Sequence, residues 1–166
     1  VEPAVREFVR ERLQRLTAAG DGDIVEELFK PLPSMVVAHY LGVPEEDRGQ
    51  FDVWTESIFE ASAGQGFAHG GDAIADLMVY FTELIARRRV EPGDDTISHL
   101  VQAGMGVEGD DAGLLSILGF AFTMVAGGND TTTGMLGGAV QLLTQHPDQR
   151  ALLLEDRGRI AESIDE

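Results

Sequence analysis

The sequence of 166 residues contains no cysteine. This absence excludes disulfides, thiolate metal sites and thiol nucleophiles within these residues. Basic residues are also few, because 12 Lys and Arg stand against 29 Asp and Glu and leave a net charge of -17. A surface of that charge disfavours nucleic acid and anionic membranes as partners.

Long apolar runs and leader sequences are missing as well. No stretch of 18 uninterrupted apolar residues occurs, and no basic segment followed by an apolar one opens the chain. We therefore expect no membrane span and a cytoplasmic protein. The sequence begins at Val1 without an initiator methionine, so we also expect it to be a piece of a longer protein.

The common signatures of metalloproteases, hydrolases and nucleotide-binding proteins do not occur. There is no H-E-x-x-H, no G-x-S-x-G and no phosphate-binding glycine loop. The four histidines are scattered, without a carboxylate at metal-ligand spacing. We therefore predict no metal ligands among these residues.

Apolar residues recur at spacings of three and four through most of the chain, which is typical of amphipathic helices. No segment gives a convincing strand pattern, so the predicted fold class is all-α, with seven or eight helices and short connections. Pro31 and Pro33 are expected to kink the second helix. Residues 62–71 are predicted as a glycine-rich loop, and the arginines 87–89 as charges that suit the carboxyl end of the helix after it. One long central helix is predicted at about 110–145.

A glycine-rich tract interrupts the apolar pattern of that long helix at residues 127–134, with the sequence Gly-Gly-Asn-Asp-Thr-Thr-Thr-Gly. These residue types together oppose helix formation by roughly 4 to 6 kcal/mol. One interpretation is a helical hairpin, with Asp130 as the cap of a second helix. The other is one continuous helix, in which the Thr131 hydroxyl donates to the Gly127 carbonyl and the glycines leave bare backbone for a flat ligand. Asp130 beside a hydroxyl could then pass protons. The local pattern favours neither interpretation.

The tract also carries a resemblance. Residues 127–132, Gly-Gly-Asn-Asp-Thr-Thr, are similar to the central-helix motif (A/G)-G-x-(D/E)-T-(T/S) of the cytochrome P-450 family. The sequence His-Pro-Asp-Gln at 146–149 resembles the H-P-(D/E)-Q that follows this helix in many bacterial members. Tyr-Leu-Gly-Val-Pro at 40–44 and Val-Arg-Glu-Phe-Val at 5–9 resemble further family segments. The resemblance covers essentially the whole chain.

For a full-length parent, the resemblance implies a haem-thiolate monooxygenase that inserts one oxygen atom from dioxygen into a small organic substrate. A ferredoxin-type redox partner would relay electrons from a nicotinamide cofactor. Asp130 and Thr131 would be the catalytic pair, with Thr131 holding water near the iron and Asp130 helping to deliver protons. The other implied site residues are Gly127, Gly128 and Thr132 toward haem, and Phe122, Val125 and Ala126 toward the substrate pocket. The 62–71 loop would belong to a mobile lid over that pocket.

The chain departs from the family pattern because it lacks the cysteine that ligates haem iron. Residues 164–166 resemble the start of the E-x-x-R helix, with Glu166 as its Glu. We therefore expect an internal segment that is inactive alone, binds no haem tightly and self-associates through uncovered apolar faces. A non-enzymatic all-α ligand-binding or regulatory bundle is the alternative, with the glycine tract as a hairpin turn.

Overall fold

The computed structural model describes residues 1–62 and 67–165, and these residues form helices joined by short connections. Within those ranges there is no strand, so the all-α prediction is confirmed. The α-helices are α1 Glu2–Ala19, α2 Pro31–Leu41, α3 Arg48–Ser62, α4 Phe67–Val90, α5 Thr96–Gln102, α6 Asp111–Gln145, α7 Pro147–Glu155 and α8 Ile160–Asp165. The predicted long helix at about 110–145 is confirmed as α6.

Aspartate side chains fix the starts of α5 and α6. Asp95 Oδ1 accepts the backbone N–H of Ser98 at 2.7 Å, and Asp110 Oδ1 accepts that of Gly113 at 2.9 Å. Each bond satisfies one of the N–H groups that the first turn of a helix leaves without a partner. The predicted start of the long helix near residue 110 is therefore confirmed.

The predicted second helix is divided at its prolines. Val25–Phe29 forms a single π turn in which the Lys30 N–H donates to the Val25 carbonyl, five residues back. Pro31 has no N–H and its ring crowds the carbonyl four residues earlier, so the regular ladder cannot continue. The π turn accommodates the missing hydrogen bond, and the α-helix α2 begins at Pro31. The predicted kink is therefore a change from a π turn to an α-helix.

The hydrophobic core lies where α2, α3, α4 and α6 meet. Phe51 of α3 and Phe81 of α4 are both fully buried and make an edge-to-face pair with ring centroids 6.4 Å apart. Aliphatic side chains from all four helices fill the space around this pair. The largest of the other fully buried side chains are Leu41, Leu77, Leu84, Ile85, Ile97, Ile117 and Val125.

The predicted loop at 62–71 is largely wrong. Ser62 ends α3, residues 63–66 lie outside the described part of the chain, and α4 already begins at Phe67. Glycine disfavours a helix by only about 1 kcal/mol. Burial of Ala73 and Leu77 along α4 outweighs that cost. The lid expected there has no support from the helical residues 67–71.

The arginines at the end of α4 do more than complement a helix dipole. Arg88 Nε lies 2.8 Å from Asp95 Oδ2, and Arg88 Nη2 donates to the Gly42 carbonyl at 2.8 Å. Gly42 ends α2 in the left-handed conformation, and a Cβ there would clash with the Asp95 carboxylate. The side chains of Arg88 and Asp95 are 20% and 5% exposed. This clamp joins the ends of α2 and α4 to the start of α5.

Helix α6 is long and apolar enough to cross a membrane by length and composition alone. Many core helices of globular proteins meet the same criterion. About a fifth of its apolar window is buried within this chain, 22%. Large apolar side chains on α6, α7 and α8 are therefore exposed, namely Leu115, Phe120, Met135, Val140, Leu142, Leu152, Leu154, Ile160 and Ile164.

We predict that Asp95→Ala lowers the free energy of unfolding by about 3 kcal/mol, because it removes the α5 cap and leaves Arg88 buried without its partner. Urea unfolding measures the loss. The control is Asp94→Ala, at a fully exposed neighbour, which should change stability by less than about 0.5 kcal/mol. Equal losses in the two variants would show that the clamp does not stabilise the fold.

Candidate functional site

Helix α6 runs without interruption through the glycine-rich tract, from Asp111 to Gln145. The helical hairpin is therefore wrong, and the continuous helix is confirmed. The Thr131 hydroxyl donates to the Gly127 carbonyl at 3.0 Å, as the continuous helix requires. The hairpin was also the turn on which the non-enzymatic alternative depended.

Packing against α2 explains why the tract stays helical. Gly128 faces this neighbour so closely that a Cβ there would lie 3.0 Å from Val37 Cγ2. On the same side of α6, Ala121 and Val125 are buried in the core. Burial of a helix face outweighs weak intrinsic propensity. The structure gives Gly128 this packing role, while its predicted role toward haem stays a prediction.

Gly127 and Thr131 lie on a neighbouring, exposed side of α6. A Cβ at Gly127, Gly134 or Gly138 would meet no atom within 4 Å in the described part of the chain. The Thr131 hydroxyl is turned back to its own helix, so the backbone around these glycines is uncovered. A flat, largely apolar group could approach the backbone closely here. The face therefore fits the haem that the resemblance implies.

The remaining predicted site residues divide between the core and the surface. Val125 is 1% exposed and belongs to the core, and Phe122 packs against that core. Ala126 is exposed, and Thr132 is half-buried. The structure does not gather Phe122, Val125 and Ala126 around a cavity of the described residues, so their substrate role stays a prediction.

A cavity of about 340 Å³ lies between α2, α3 and α6, beside the motif. Asn129, Asp130 and Thr133 form its α6 wall, and Ser34 and Thr55 are buried polar residues of its other walls. Four exposed carboxylates surround its opening, from Glu26, Asp52, Glu56 and Glu60. Asp130 thus connects the motif with a polar, acidic space.

Partial burial raises the pKa of Asp130 above its usual value. Desolvation is the cause, because it penalises the charged carboxylate. The side chain still reaches solvent, so the shift does not hold the group permanently neutral. A carboxyl group whose pKa moves toward neutral pH exchanges protons more readily at that pH.

Sequence reasoning missed Asn129, which it treated as the variable position of the motif. This side chain is 7% exposed, and neither its Nδ2 nor its Oδ1 has a hydrogen-bond partner among the described residues. Burying a polar group without a partner is costly. The signal was present in the sequence as an amide residue in the middle of an apolar helix.

Thr133 was missed as well, although it ties α6 to the π turn. Its hydroxyl donates to the Phe29 carbonyl at 3.0 Å. In a regular helix that carbonyl would accept from residue 33, but Pro33 has no N–H. The Thr133 side chain therefore supplies the donor that the proline removes.

No cluster of metal-ligating side chains exists in residues 1–61 and 71–164, whose side chains the structure describes. Glu166, which the sequence assigned to the start of an E-x-x-R helix, lies outside the described residues.

The sequence as a whole is similar to known proteins of one kind. It is 64% identical to Cytochrome P450 130 of Mycobacterium tuberculosis, across the whole of this chain and 41% of that protein. It is 31% identical to 6-deoxyerythronolide B hydroxylase of Saccharopolyspora erythraea, with the same coverage. The chain therefore spans about two fifths of the curated relatives it matches. No family model matches it.

Solved structures share the fold. CYP109E1 from Bacillus megaterium in complex with testosterone superimposes with a TM-score of 0.84 and 34% identity, over 98% of this chain and 44% of that one. The cytochrome P450 PksS of Bacillus subtilis gives a TM-score of 0.84 and 28% identity, over 98% and 41%. Nearly the whole of this chain thus shares its fold with part of larger proteins.

We predict that Thr133→Val lowers the free energy of unfolding by about 1 to 2 kcal/mol, because the Phe29 carbonyl loses its donor. Thr133→Ser keeps the hydroxyl and should recover most of the loss. Thr144→Val is the control, since that exposed hydroxyl donates only to Val140 of its own helix. Chemical denaturation compares the three variants. A loss at Thr144 as large as that at Thr133 would contradict this account.

Proposed function

The chain belongs to the cytochrome P450 family, and we propose that it forms the oxygen-activating helical segment of a haem-thiolate monooxygenase. The full-length parent would insert one oxygen atom from dioxygen into a small organic substrate. One observation supports this most strongly. Helix α6 stays continuous through a tract unfavourable to helix and keeps Thr131 bonded to Gly127 on its open face.

Haem, when bound, supplies the iron on which dioxygen is activated. Its thiolate ligand has to come from residues other than these, because the sequence contains no cysteine. Gly127 would hold the flat group by close backbone approach, since no side chain covers that face. Thr132 is the further haem-binding residue of the proposal.

Thr131 would act through its hydroxyl, which is anchored to the Gly127 carbonyl as donor and leaves its oxygen lone pairs free to accept. In that orientation the oxygen can hold a water molecule at the open face. Asp130, one residue earlier, borders the acidic cavity on another side of α6. The pair would thus take protons from the solvent side and present them on the haem side.

The substrate is proposed to be an apolar organic molecule. Two proteins similar to this chain are named with testosterone and with 6-deoxyerythronolide B, both small organic compounds. Phe122 and Ala126 would contribute to the pocket from α6. Val125 would support it from behind, because its side chain lies within the core.

Electrons are proposed to come from a nicotinamide cofactor through a ferredoxin-type redox partner. We propose a cytoplasmic location for the protein. A bilayer would have to receive Asp130 near the middle of α6, which costs about 2.5 to 3.5 kcal/mol for a charged side chain. Enclosure of α6 by further parts of the parent avoids that cost.

We predict that Thr131→Ala in the full-length parent retains haem but diverts electrons from product to hydrogen peroxide. Loss of a positioned proton donor or acceptor costs about 100-fold or more in favourable cases. Product and peroxide formed per nicotinamide oxidised are the measurements. Thr123→Ala is the matched control, because its exposed hydroxyl makes the same bond to Gly119, two turns earlier. Unchanged product yield in Thr131→Ala would sink the proposed role.

For the 166-residue polypeptide alone, we predict no thiolate-ligated haem and no oxygenation. We also predict self-association through the exposed apolar side chains of α6, α7 and α8. Carbon monoxide difference spectra after addition of haem test the first expectation, and sedimentation tests the second. A thiolate-type spectrum or a monodisperse monomer at high concentration would contradict the respective expectation.

A further inference from the structure

The buried side-chain amide of Asn129, next to Asp130, lacks hydrogen-bond partners among the described residues. Its amide offers two N–H donors and a carbonyl acceptor, yet neither polar atom has a partner among the described residues. Nearly all buried polar groups in proteins are satisfied by protein or by ordered water. A partner that fits a small space is therefore needed.

Water from the adjoining cavity meets that need. The surrounding residues already cover both amide atoms, so a bulky group from elsewhere cannot reach them without displacing these residues. Asn129 forms part of the wall of the 340 Å³ cavity. At about 30 Å³ per molecule, this space holds on the order of ten waters. Water in this space would lie beside the residue that carries the amide.

We propose that Asn129 anchors water in this cavity and that this water connects Asp130 with solvent, so that protons reach the motif between α2, α3 and α6. The inference rests on the proposed function, in which Asp130 delivers protons. Asn129 is then a positioning residue, because it acts through water on Asp130 and touches neither substrate nor haem.

Polar groups along the cavity support a continuous chain of water. The Ser34 hydroxyl donates to Asp52 Oδ1 at 2.6 Å, and the buried Thr55 hydroxyl donates to the Phe51 carbonyl at 2.9 Å. Each hydroxyl oxygen can still accept a hydrogen bond from water. Acceptors therefore lie on the α2 and α3 walls, opposite the amide on α6.

The negative charge of the lining favours the entry of protons over that of anions. Glu56 and Glu60 extend the acidic rim on α3, and Lys30, the one cation among the described lining residues, is paired with Glu26. Like-signed charge around a cleft attracts cations and repels anions. A proton taken up at this opening moves from one water to the next and onto the Asp130 carboxylate. For each proton that Asp130 passes on, one enters from solvent, and no electron moves.

The test uses the intact monooxygenase with Asn129→Leu, which removes the amide, and Asn129→Ser, which restores a polar group and leaves room for an extra water. Gln141→Leu is the matched control, because it replaces an exposed amide on the same helix. We expect Asn129→Leu to lower the ratio of product to hydrogen peroxide about tenfold, below the full contribution of a general acid or base. Asn129→Ser should return most of the ratio, and Gln141→Leu should leave it unchanged.

High-resolution crystal structures supply a readout that does not depend on turnover. We expect ordered water within hydrogen-bond distance of the Asn129 amide in the unaltered protein, and its loss in Asn129→Leu. An amide paired with a protein group, or a dry cavity, would overturn the inference. So would an unchanged ratio in Asn129→Leu alongside a lowered ratio in Thr131→Ala. If Thr131→Ala also leaves the ratio unchanged, the proposed function fails together with the inference.

Discussion

The close contact between α6 and α2 at Gly128 is the constraint on which the site depends. A Cβ at position 128 would lie 3.0 Å from Val37 Cγ2, so any larger residue there would require Val37 to shift by a few tenths of an ångström. The contact sets the rotation of α6 about its own axis. That rotation decides which residues of the tract face the core, which face the cavity and which face outward.

Helix α6 therefore presents three different faces to its surroundings. Val125 and Gly128 face the core and α2, Asn129 and Thr133 face the cavity, and Gly127 with Thr131 faces outward. Successive residues of a helix are rotated by about 100°, so adjacent positions in the sequence serve different surfaces. Asp130 lies between the cavity and the outward face. Its position on the helix therefore suits a group that exchanges protons between two environments.

Local signals in the sequence were sufficient for most of the fold. Apolar spacing predicted the helices, and the caps from Asp95 and Asp110 that begin two of them are short-range interactions. The loop at 62–71 was misjudged because burial of α4 residues further along the chain outweighs glycine propensity. Asp130 and Thr131 were predicted from a motif. Asn129 and Thr133 were not, because their importance depends on the cavity and on the Phe29 carbonyl, which only the folded chain brings near.

The hydrogen bond from Thr133 to Phe29 joins residues 104 positions apart. Contacts of such large sequence separation form late, because closing the intervening chain costs entropy before any bond compensates for it. The helices α3, α4 and α5 can assemble earlier, through neighbours that are close in the chain. The Phe29 carbonyl, which Pro33 leaves without a backbone donor, has a partner only when α6 is docked. An α6 docked in the wrong register would leave the Phe29 carbonyl unsatisfied, so this bond also favours the correct register of the motif-bearing helix.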